Sequence, residues 1–409
     1  MAEVIPFKGI FYNTETVSAD DVTAPPYDII TSVLREELYK KSPYNIVRVD
    51  SGKDLEKDTE TDNKYTRAKT YLRQWLEEGI LKRSETPCFY AYEMLYTVRS
   101  VQKRLTGFYG LVRLEELGKG IYPHECTHSK PKHDRLALLK ESSANTSPIF
   151  ALYRSPEKKA SSVLDRAIKE QKPYMEAKDM DGAVHRLWFI SDTSSINAIK
   201  ADLEDKAVFI ADGHHRYETA LEYQKSMHGA KGDEPFNYVL MFLANIAEDG
   251  LTILPAHRLI NVSGDIIKKL SGYFSIEELP SDADISNTIS GQKHTFGLSI
   301  KGNRYILRYR GNDLKDIQPV LRKLDVVILD EMILKRLLNV PSISYEMDAG
   351  RAQAEVEGGG YAAAFFLNST TVMEVEEVAV SFLRMPPKST YFYPKLLTGF
   401  VINSLKNSL

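Results

Sequence analysis

One stretch of the sequence constrains the fold more than any other: "KAVFIADGHHRYETALEYQKSMHG", residues 206–229. Residues 207–211 form a short apolar run that is typical of a buried strand. Asp212 and Gly213 interrupt this run, and the apolar residues Tyr217, Ala220 and Leu221 then follow helical spacing. The stretch therefore predicts a buried strand that turns directly into a helix. Together with the helices and strands indicated elsewhere, it predicts an α/β or α+β fold.

The predicted turn has the chemistry of an anion site. The first N–H groups of a helix have no partner within the helix, and its dipole favours negative charge there. Gly213 allows a ligand to approach the backbone, and Arg216 can grip phosphate oxygens with its planar fork. His214 and His215 can donate hydrogen bonds or transfer protons near neutral pH. The alternative is a surface turn whose histidines only cap the helix, and we favour the site.

A second polar segment is "PHECTHSKPKHDR", residues 123–135, which contains the HExxH letters of zinc proteases. That chemistry needs His124 and His128 on one helix face with Glu125 as the general base, and Glu141 as a conceivable third ligand. Pro131 predicts that no helix continues through the segment. The sequence therefore disfavours a zinc hydrolase here.

The same segment fits an anion or metal–phosphate site better. Lys130, Lys132 and Arg135 supply positive charge. Glu125 and Asp134 can hold Mg²⁺, act as a base or orient the cations. A solvated charged loop remains the alternative, because most runs of charge are solvated.

Two further segments add candidate residues at the two ends of the chain. "MPPKSTYFYPKLLTGF" is stiffened by prolines, and "APPYDII" is an extended turn near the N-terminus. Taken alone, the first segment is more simply a surface turn, and in the second Asp28 could bind a metal or a substrate amine or only cap the turn. The candidates are Lys388, Ser389, Thr390 and Lys395 for phosphate, and Tyr27 and Asp28 for substrate.

Composition limits the remaining possibilities. A chain of 409 residues is long for one core, so we expect a catalytic region at 1–260 and a C-terminal α+β lobe at 261–409. The net charge of −3 makes nucleic acid an unlikely partner. Two cysteines, Cys88 and Cys126, indicate a reducing, cytoplasmic setting. The most apolar stretch, "YVLMFLANIA", is too short to span a membrane, and the sequence does not indicate an oligomeric state.

Several segments together resemble the family called domain of unknown function 1015. They are "APPYDII", "SPYNIVRVD", "PHECTHSKPKHDRLALL", "ANTSPIFALY", "IADGHHRYETALEY" and "MPPKSTYFYPKLLTGF". The "ADGHHR" signature is similar to that of the ParB/sulfiredoxin superfamily, which includes free-serine kinases. The resemblance implies a ParB/sulfiredoxin-like core, and it implies that residues 212–216 hold nucleotide phosphates. His128 departs from the pattern, which favours coincidence for HExxH.

The resemblance implies a phosphoryl-transfer enzyme that acts on a small hydroxyl compound, with serine or phosphoserine as the leading substrate. We expect ATP or ADP and Mg²⁺ as its cofactors. The direction of transfer stays open, and so does the catalytic base among Glu125, Asp134 and Asp28. The alternatives are a ParB-like DNA-binding protein and a zinc hydrolase. A shared site predicts that Arg216, Lys132 and Lys388 face one anion.

Overall fold

The computed structural model describes residues 2–127, 129–227, 232–311 and 313–406, with the backbone alone at 129–131. The chain divides into two compact units. Unit 1 comprises residues 1–123, 127–251 and 394–409, and unit 2 comprises residues 124–126 and 252–393. The predicted division at residue 260 differs from these units, because the chain leaves unit 1 after Leu251 and returns to it at Pro394.

Unit 1 is built on a mixed sheet. In the part of the chain that the structure describes, eight strands follow the order 121–122, 208–212, 149–153, 238–245, 101–113, 89–98, 184–190 and 175–178, and the strand 4–5 also pairs with 101–113. Both parallel and antiparallel pairs occur. The strands of unit 1, including two separate two-stranded pairs, are Val4–Ile5, Ile10–Tyr12, Leu81–Arg83, Phe89–Val98, Val101–Arg113, Ile121–Tyr122, Ala144–Asn145, Ile149–Tyr153, Met175–Lys178, Val184–Ile190, Val208–Asp212, Tyr238–Asn245 and Asn403–Ser404.

Helices cover the sheet of unit 1 and close its core. Phe108, Val163, Leu203, Ile210 and Met241 belong to one buried cluster that joins strands to helices. The helices are Ala19–Val22, Ser32–Lys41, Val47–Asp50, Lys64–Glu77, Ser129–Ser142, Lys159–Glu170, Thr193–Leu203 and His214–Ser226, with 3₁₀ turns at Tyr27–Ile29 and Pro235–Asn237.

Unit 2 contains a second, antiparallel sheet with the strand order 274–279, 303–309, 295–300, 363–366, 257–260 and 343–346. The segment "HTFGLSIKGNRYILRYRG", residues 294–311, predicts a hairpin that turns at residues 301–303, and the paired strands with Gly302 at their turn confirm it. The strands are Thr252–Leu254, His257–Ile260, Phe274–Leu279, Thr295–Ile300, Asn303–Tyr309, Ile343–Glu346, Ala363–Phe366 and Tyr391–Tyr393. The helices are Ile266–Leu270, Ile285–Ile289, Asp325–Val327, Ala349–Glu357 and Val372–Val380, with a 3₁₀ turn at Leu321–Lys323 and a π-helix at Ile328–Leu337.

The predicted fold class is confirmed, since each unit combines a sheet with helices. The ParB/sulfiredoxin-like assignment of the core stays a prediction. Within the described ranges, no helix has the length and apolar character that crossing a membrane requires.

Two local predictions were wrong. The segment "SPYNIVRVD", residues 42–50, reads as a short turn into a strand, but residues 47–50 form a helix. The side-chain oxygen of Asn45 accepts the N–H of Val47 at 3.0 Å, an Asx turn that leads the chain into that helix. Pro131 was expected to exclude a helix, yet the helix Ser129–Ser142 runs through it. Proline is tolerated in a first turn because the N–H groups there have no partner within the helix.

Candidate functional site

The strand–turn–helix unit of the "ADGHHR" stretch forms as the sequence predicts. The strand Val208–Asp212 ends at Gly213, whose φ is +93°, and the helix His214–Ser226 begins immediately afterwards. A Cβ atom on Gly213 would lie 2.9 Å from Nε of Arg216. Both the backbone conformation and this close approach therefore require glycine. His214 is buried and His215 is partly exposed.

Arg216 is held from two directions in unit 1. Its Nη1 donates to Oγ of Ser147 at 2.9 Å and to the carbonyl of Pro148. Its Nη2 lies 3.5 Å from Oδ2 of Asp212. These contacts fix the guanidinium beside the start of its own helix, where an anion is favoured.

Lys395 belongs to the segment that returns to unit 1 and approaches the same carboxylate. Its Nζ lies 3.4 Å from Oδ2 of Asp212, and the side chain is largely buried. Asp212 therefore stands between two cations, Arg216 and Lys395, at distances longer than a strong charged hydrogen bond. A ligand phosphate could compete for both cations.

A second arginine, Arg135, is nearly buried and is surrounded by acidic and aromatic side chains. Its Nη2 donates to Oδ2 of Asp134 at 2.6 Å, and its Nη1 donates to Oδ1 of Asp50 at 3.3 Å. The guanidinium also lies 4.1 Å from the centre of the Tyr27 ring. Thr146 donates to the same oxygen of Asp50 at 2.7 Å.

Asp134 is strongly stabilised as an anion. Burial opposes its ionisation, but Arg135 and Lys64 outweigh burial and lower the pKa of Asp134 to about 2. Tyr65 donates to its Oδ1 at 2.9 Å, and Nζ of Lys64 lies 3.1 Å from the same atom. A carboxylate with this pKa is a weak base at neutral pH, so Asp134 suits the positioning of Arg135 better than proton abstraction.

Tyr27 connects the two arginines electrostatically. Burial raises the pKa of Tyr27 to about 12, and the positive charges of Arg216 and Arg135 oppose that rise. Asp28, the neighbouring candidate, is exposed. The predicted substrate turn therefore places an aromatic hydroxyl near both cations, with its carboxylate neighbour on the surface.

Arg135 and Arg216 line one cavity of about 40 Å³ that is partly open. Its lining includes both polar and apolar residues. The lining consists of Asp50, Arg135, Leu138, Leu139, Ala144, Asn145, Thr146, Ser147, Ile149, Arg216, Thr219 and Val239. Residues from four separate stretches of sequence thus meet within unit 1.

Of the other basic residues predicted in the 123–135 segment, the structure describes the side chain of Lys132 but not that of Lys130. Nζ of Lys132 lies 3.1 Å from Oε2 of Glu218, which also accepts from Thr127 at 2.7 Å. Lys130 was predicted as a phosphate ligand, but its side chain lies outside the described residues. Lys132 is therefore attached to the helix that carries Arg216.

His124 and Glu125 lie in unit 2, with the "MPPKST" segment. Nε2 of His124 is 3.0 Å from Oγ1 of Thr390, and Oε1 of Glu125 accepts the backbone N–H of Lys388 at 2.5 Å. The Ser389 hydroxyl donates to the carbonyl of Pro386 at 2.7 Å. These polar groups hold one another within unit 2, and the prediction that Lys388 shares an anion with Arg216 and Lys132 stays a prediction.

The residues expected to bind metal do not form a recognisable ligand set. Across the described ranges, no group of three or more His, Cys, Asp and Glu side chains is placed to hold a metal ion. His128 lies outside the described residues. Glu141, the conceivable third zinc ligand, lies 4.0 Å from Nζ of Lys69.

Sequence reasoning missed five residues of this region, and four of them line the cavity. "SPYNIVRVD" and "ANTSPIFALY" were noticed only as family segments, although polar residues next to apolar runs were a usable signal. The missed residues are Asp50, Thr146, Ser147, Glu218 and Thr219.

Comparison with known proteins identifies the family. The family described as "Protein of unknown function (DUF1015)" matches residues 4–327. The chain belongs to the DUF1015 family. The resemblance seen in the sequence is therefore confirmed. Among curated proteins, none matches this sequence.

Solved structures give only a distant likeness. A free serine kinase in complex with AMP is 14% identical, with 70% of this chain and 86% of that chain covered and a TM-score of 0.38. A conserved hypothetical protein from Pyrococcus furiosus is 14% identical over 74% of this chain and 97% of that chain, with a TM-score of 0.38. SbnI from Staphylococcus aureus, with a C-terminal truncation, is 12% identical over 74% of this chain and 90% of that chain, with a TM-score of 0.38.

Proposed function

We propose that this DUF1015 protein transfers a phosphoryl group between a nucleotide, ATP or ADP, and a small hydroxyl compound of the serine type. One observation carries the proposal. Arg135 and Arg216 line the same cavity, and Arg216 sits on the first turn of a helix that follows the left-handed Gly213. Paired guanidinium groups at a helix N-terminus are suited to phosphate oxygens.

The proposed roles follow from the contacts of unit 1. Nη2 of Arg216 and the first N–H groups of its helix bind the phosphoryl group, and Lys395 turns from Asp212 toward it. Phosphoryl transfer depends mainly on positioning and on stabilising charge, so a fixed set of cations supplies what the reaction needs. Asp134 anchors Arg135 and does not act as the base. The choice of serine rests on the sequence resemblance.

Magnesium belongs to the proposal through the nucleotide. Mg²⁺ is usually bound by one or two carboxylates together with phosphate oxygens. Asp134 fits poorly as such a ligand, because both of its oxygens already accept from Arg135, Lys64 or Tyr65. Glu125 also has one oxygen engaged, by the N–H of Lys388. A Mg²⁺ ion would supply charge neutralisation on the phosphates.

The test is a substrate screen read by phosphorus-31 NMR. ATP, ADP and pyrophosphate are each incubated with L-serine and Mg²⁺, and phosphoserine is incubated alone and with ADP. The proposal expects a phosphoserine resonance to appear or to decay in at least one mixture. No turnover of any serine compound would reject the substrate, and no turnover of any nucleotide would reject phosphoryl transfer.

A further inference from the structure

Three residues that line the cavity each carry a buried polar atom that has no hydrogen-bond partner among the described residues. The atoms are Oδ2 of Asp50, Nε of Arg216 and Oγ1 of Thr219. An unpaired buried polar group costs about 1–3 kcal/mol, so native proteins rarely leave several together. Their convergence on one cavity indicates an occupant that pairs with them.

Only one of the two carboxylate oxygens of Asp50 accepts hydrogen bonds from the described residues. Its Oδ1 accepts from Arg135 at 3.3 Å and from Thr146 at 2.7 Å, whereas Oδ2 accepts from neither. The residue is only 2% exposed. An ionised carboxylate can only accept hydrogen bonds, so the occupant must present a donor to Oδ2.

Thr219 and Arg216 present the complementary groups from one helix. Thr219 is 2% exposed, and its hydroxyl does not take the carbonyl four residues earlier that a helical threonine commonly uses. Nε of Arg216 can only donate, so the occupant must also present an acceptor. The two residues lie three positions apart and hence on one face of the helix.

The required occupant therefore carries a donor at one end and an acceptor at the other. The two arginines and Asp50 surround it with charge of both signs, which suits a zwitterion. The cavity of about 40 Å³ exceeds the roughly 10–15 Å³ that one water needs. It is too small for a nucleotide, and it is partly open.

We infer that this cavity binds the head group of a small α-amino acid, with its ammonium on Oδ2 of Asp50 and its carboxylate on Nε of Arg216 and Oγ1 of Thr219. The inference rests on the proposed function in that the hydroxyl of a serine-type substrate then faces the phosphate-binding turn. It assigns ammonium recognition to buried Asp50 in place of exposed Asp28.

The first test measures binding by calorimetry without nucleotide. The ligands are L-serine, 3-hydroxypropanoate, which lacks the ammonium, and ethanolamine, which lacks the carboxylate. We expect serine to bind and each analogue to bind at least about tenfold more weakly, because each leaves a buried group unpaired. No serine binding, or equal binding of 3-hydroxypropanoate, would mean that the cavity holds ordered water only and would overturn the inference.

The second test uses matched variants. Thr219→Val keeps the side-chain shape and removes the hydroxyl, and Asp50→Asn removes the charge. Each should weaken serine binding about tenfold, and Asp50→Asn should also erase the preference for serine over 3-hydroxypropanoate. Thr70→Val, at an exposed helix position, and Asp165→Asn, at a partly exposed one, are controls and should bind as the unchanged protein does.

Asp50 also holds Arg135, so thermal unfolding of each variant is recorded beside binding. Thr219→Val keeps the inference falsifiable if Asp50→Asn does not fold, because serine binding unchanged in Thr219→Val would overturn it. Serine binding with these preferences, but without turnover, would reject phosphoryl transfer alone. Serine turnover at wild-type efficiency (kcat/KM) in both folded variants would reject this inference alone.

Discussion

Two arginines with little exposed surface, one in each unit, differ in how completely their donors are used. Arg258 in unit 2 donates through Nε and Nη2 to both oxygens of Asp330, at 3.0 and 3.1 Å. Its Nη1 donates to the carbonyl of Ala256. Arg216 in unit 1 leaves Nε without a partner among the described residues, at the wall of a cavity.

This difference separates a structural role from a binding role. A buried guanidinium whose nitrogens all find acceptors within the protein has no capacity left for a ligand, and it contributes by neutralising a buried carboxylate. A guanidinium with a free donor beside a cavity retains capacity for a ligand. By burial and charge alone, Arg258 and Arg216 would both be taken for structural residues. Their hydrogen bonds distinguish them, because only Arg216 keeps a donor without a partner among the described residues.

The largest effect is expected for Arg258→Met. The substitution leaves Asp330 buried without its cation, which should reduce the free energy of unfolding by about 3–5 kcal/mol. Urea unfolding at pH 7 measures this loss. A loss below about 1 kcal/mol would show that the pair is not structural.

The same variant should respond to acid. Burial already raises the pKa of Asp330, with Arg258 opposing, so removal of Arg258 should raise that pKa further. A raised pKa in the folded state means that stability falls as pH rises through it. The deficit of Arg258→Met relative to the unchanged protein should therefore shrink between pH 7 and pH 5, and a constant deficit would contradict this account.

Arg216→Lys should affect activity more than stability. Lysine keeps the charge but lacks the planar fork and the Nε donor, so phosphoryl transfer should fall by roughly two orders of magnitude. The variant should unfold within about 1 kcal/mol of the unchanged protein. Arg73→Lys, on an exposed helix face, is the matched control and should retain full activity.

Asp134→Asn should produce a smaller, pH-dependent loss of stability. The folded pKa of Asp134 is about 2, below the ordinary value, so its stabilising effect is complete above pH 4 and is lost as pH falls toward 2. We expect a loss of about 1 kcal/mol at pH 7, since the side chain is partly exposed. Unfolding curves of the two proteins should converge near pH 2, and a difference that persists there would refute the assignment.

His128→Ala should have the smallest effect, below about threefold in phosphoryl transfer, because no role in binding phosphate is assigned to it. A zinc hydrolase predicts the reverse ranking, since losing a ligand empties the metal site. Activity measured beside Arg216→Lys therefore distinguishes the two chemistries. Elemental analysis that finds stoichiometric zinc, absent from His128→Ala, would favour the hydrolase.

The sequence predicted what local chemistry determines. The strand–turn–helix segment at residues 208–226 was predictable because an apolar run, Gly213 and helical spacing lie consecutively in the chain. Arg216 was found for the same reason. The family was recognised from long segments, and the match over residues 4–327 confirms it.

What depends on packing was not predictable. Asp50 ends a short helix that was expected to be a strand, and a run as short as "IVRV" fits either structure. Asn45 decides between them, because it accepts the N–H of Val47 and donates to the carbonyls of Asp21 and Thr23. The unpaired oxygen of Asp50 becomes visible only when the helices that carry Arg135 and Thr219 are placed around it.

The most direct test of this account observes the Nε–H resonances of Arg216 and Arg258 by ¹H–¹⁵N NMR. Arg216→Lys and Arg258→Lys each remove one peak and so assign it. On addition of L-serine and a non-hydrolysable ATP analogue, the account predicts that the Arg216 resonance shifts and the Arg258 resonance does not. An unmoved Arg216 resonance, or equal shifts at both arginines, would contradict the central claim that the unpaired donor of Arg216 marks the ligand site.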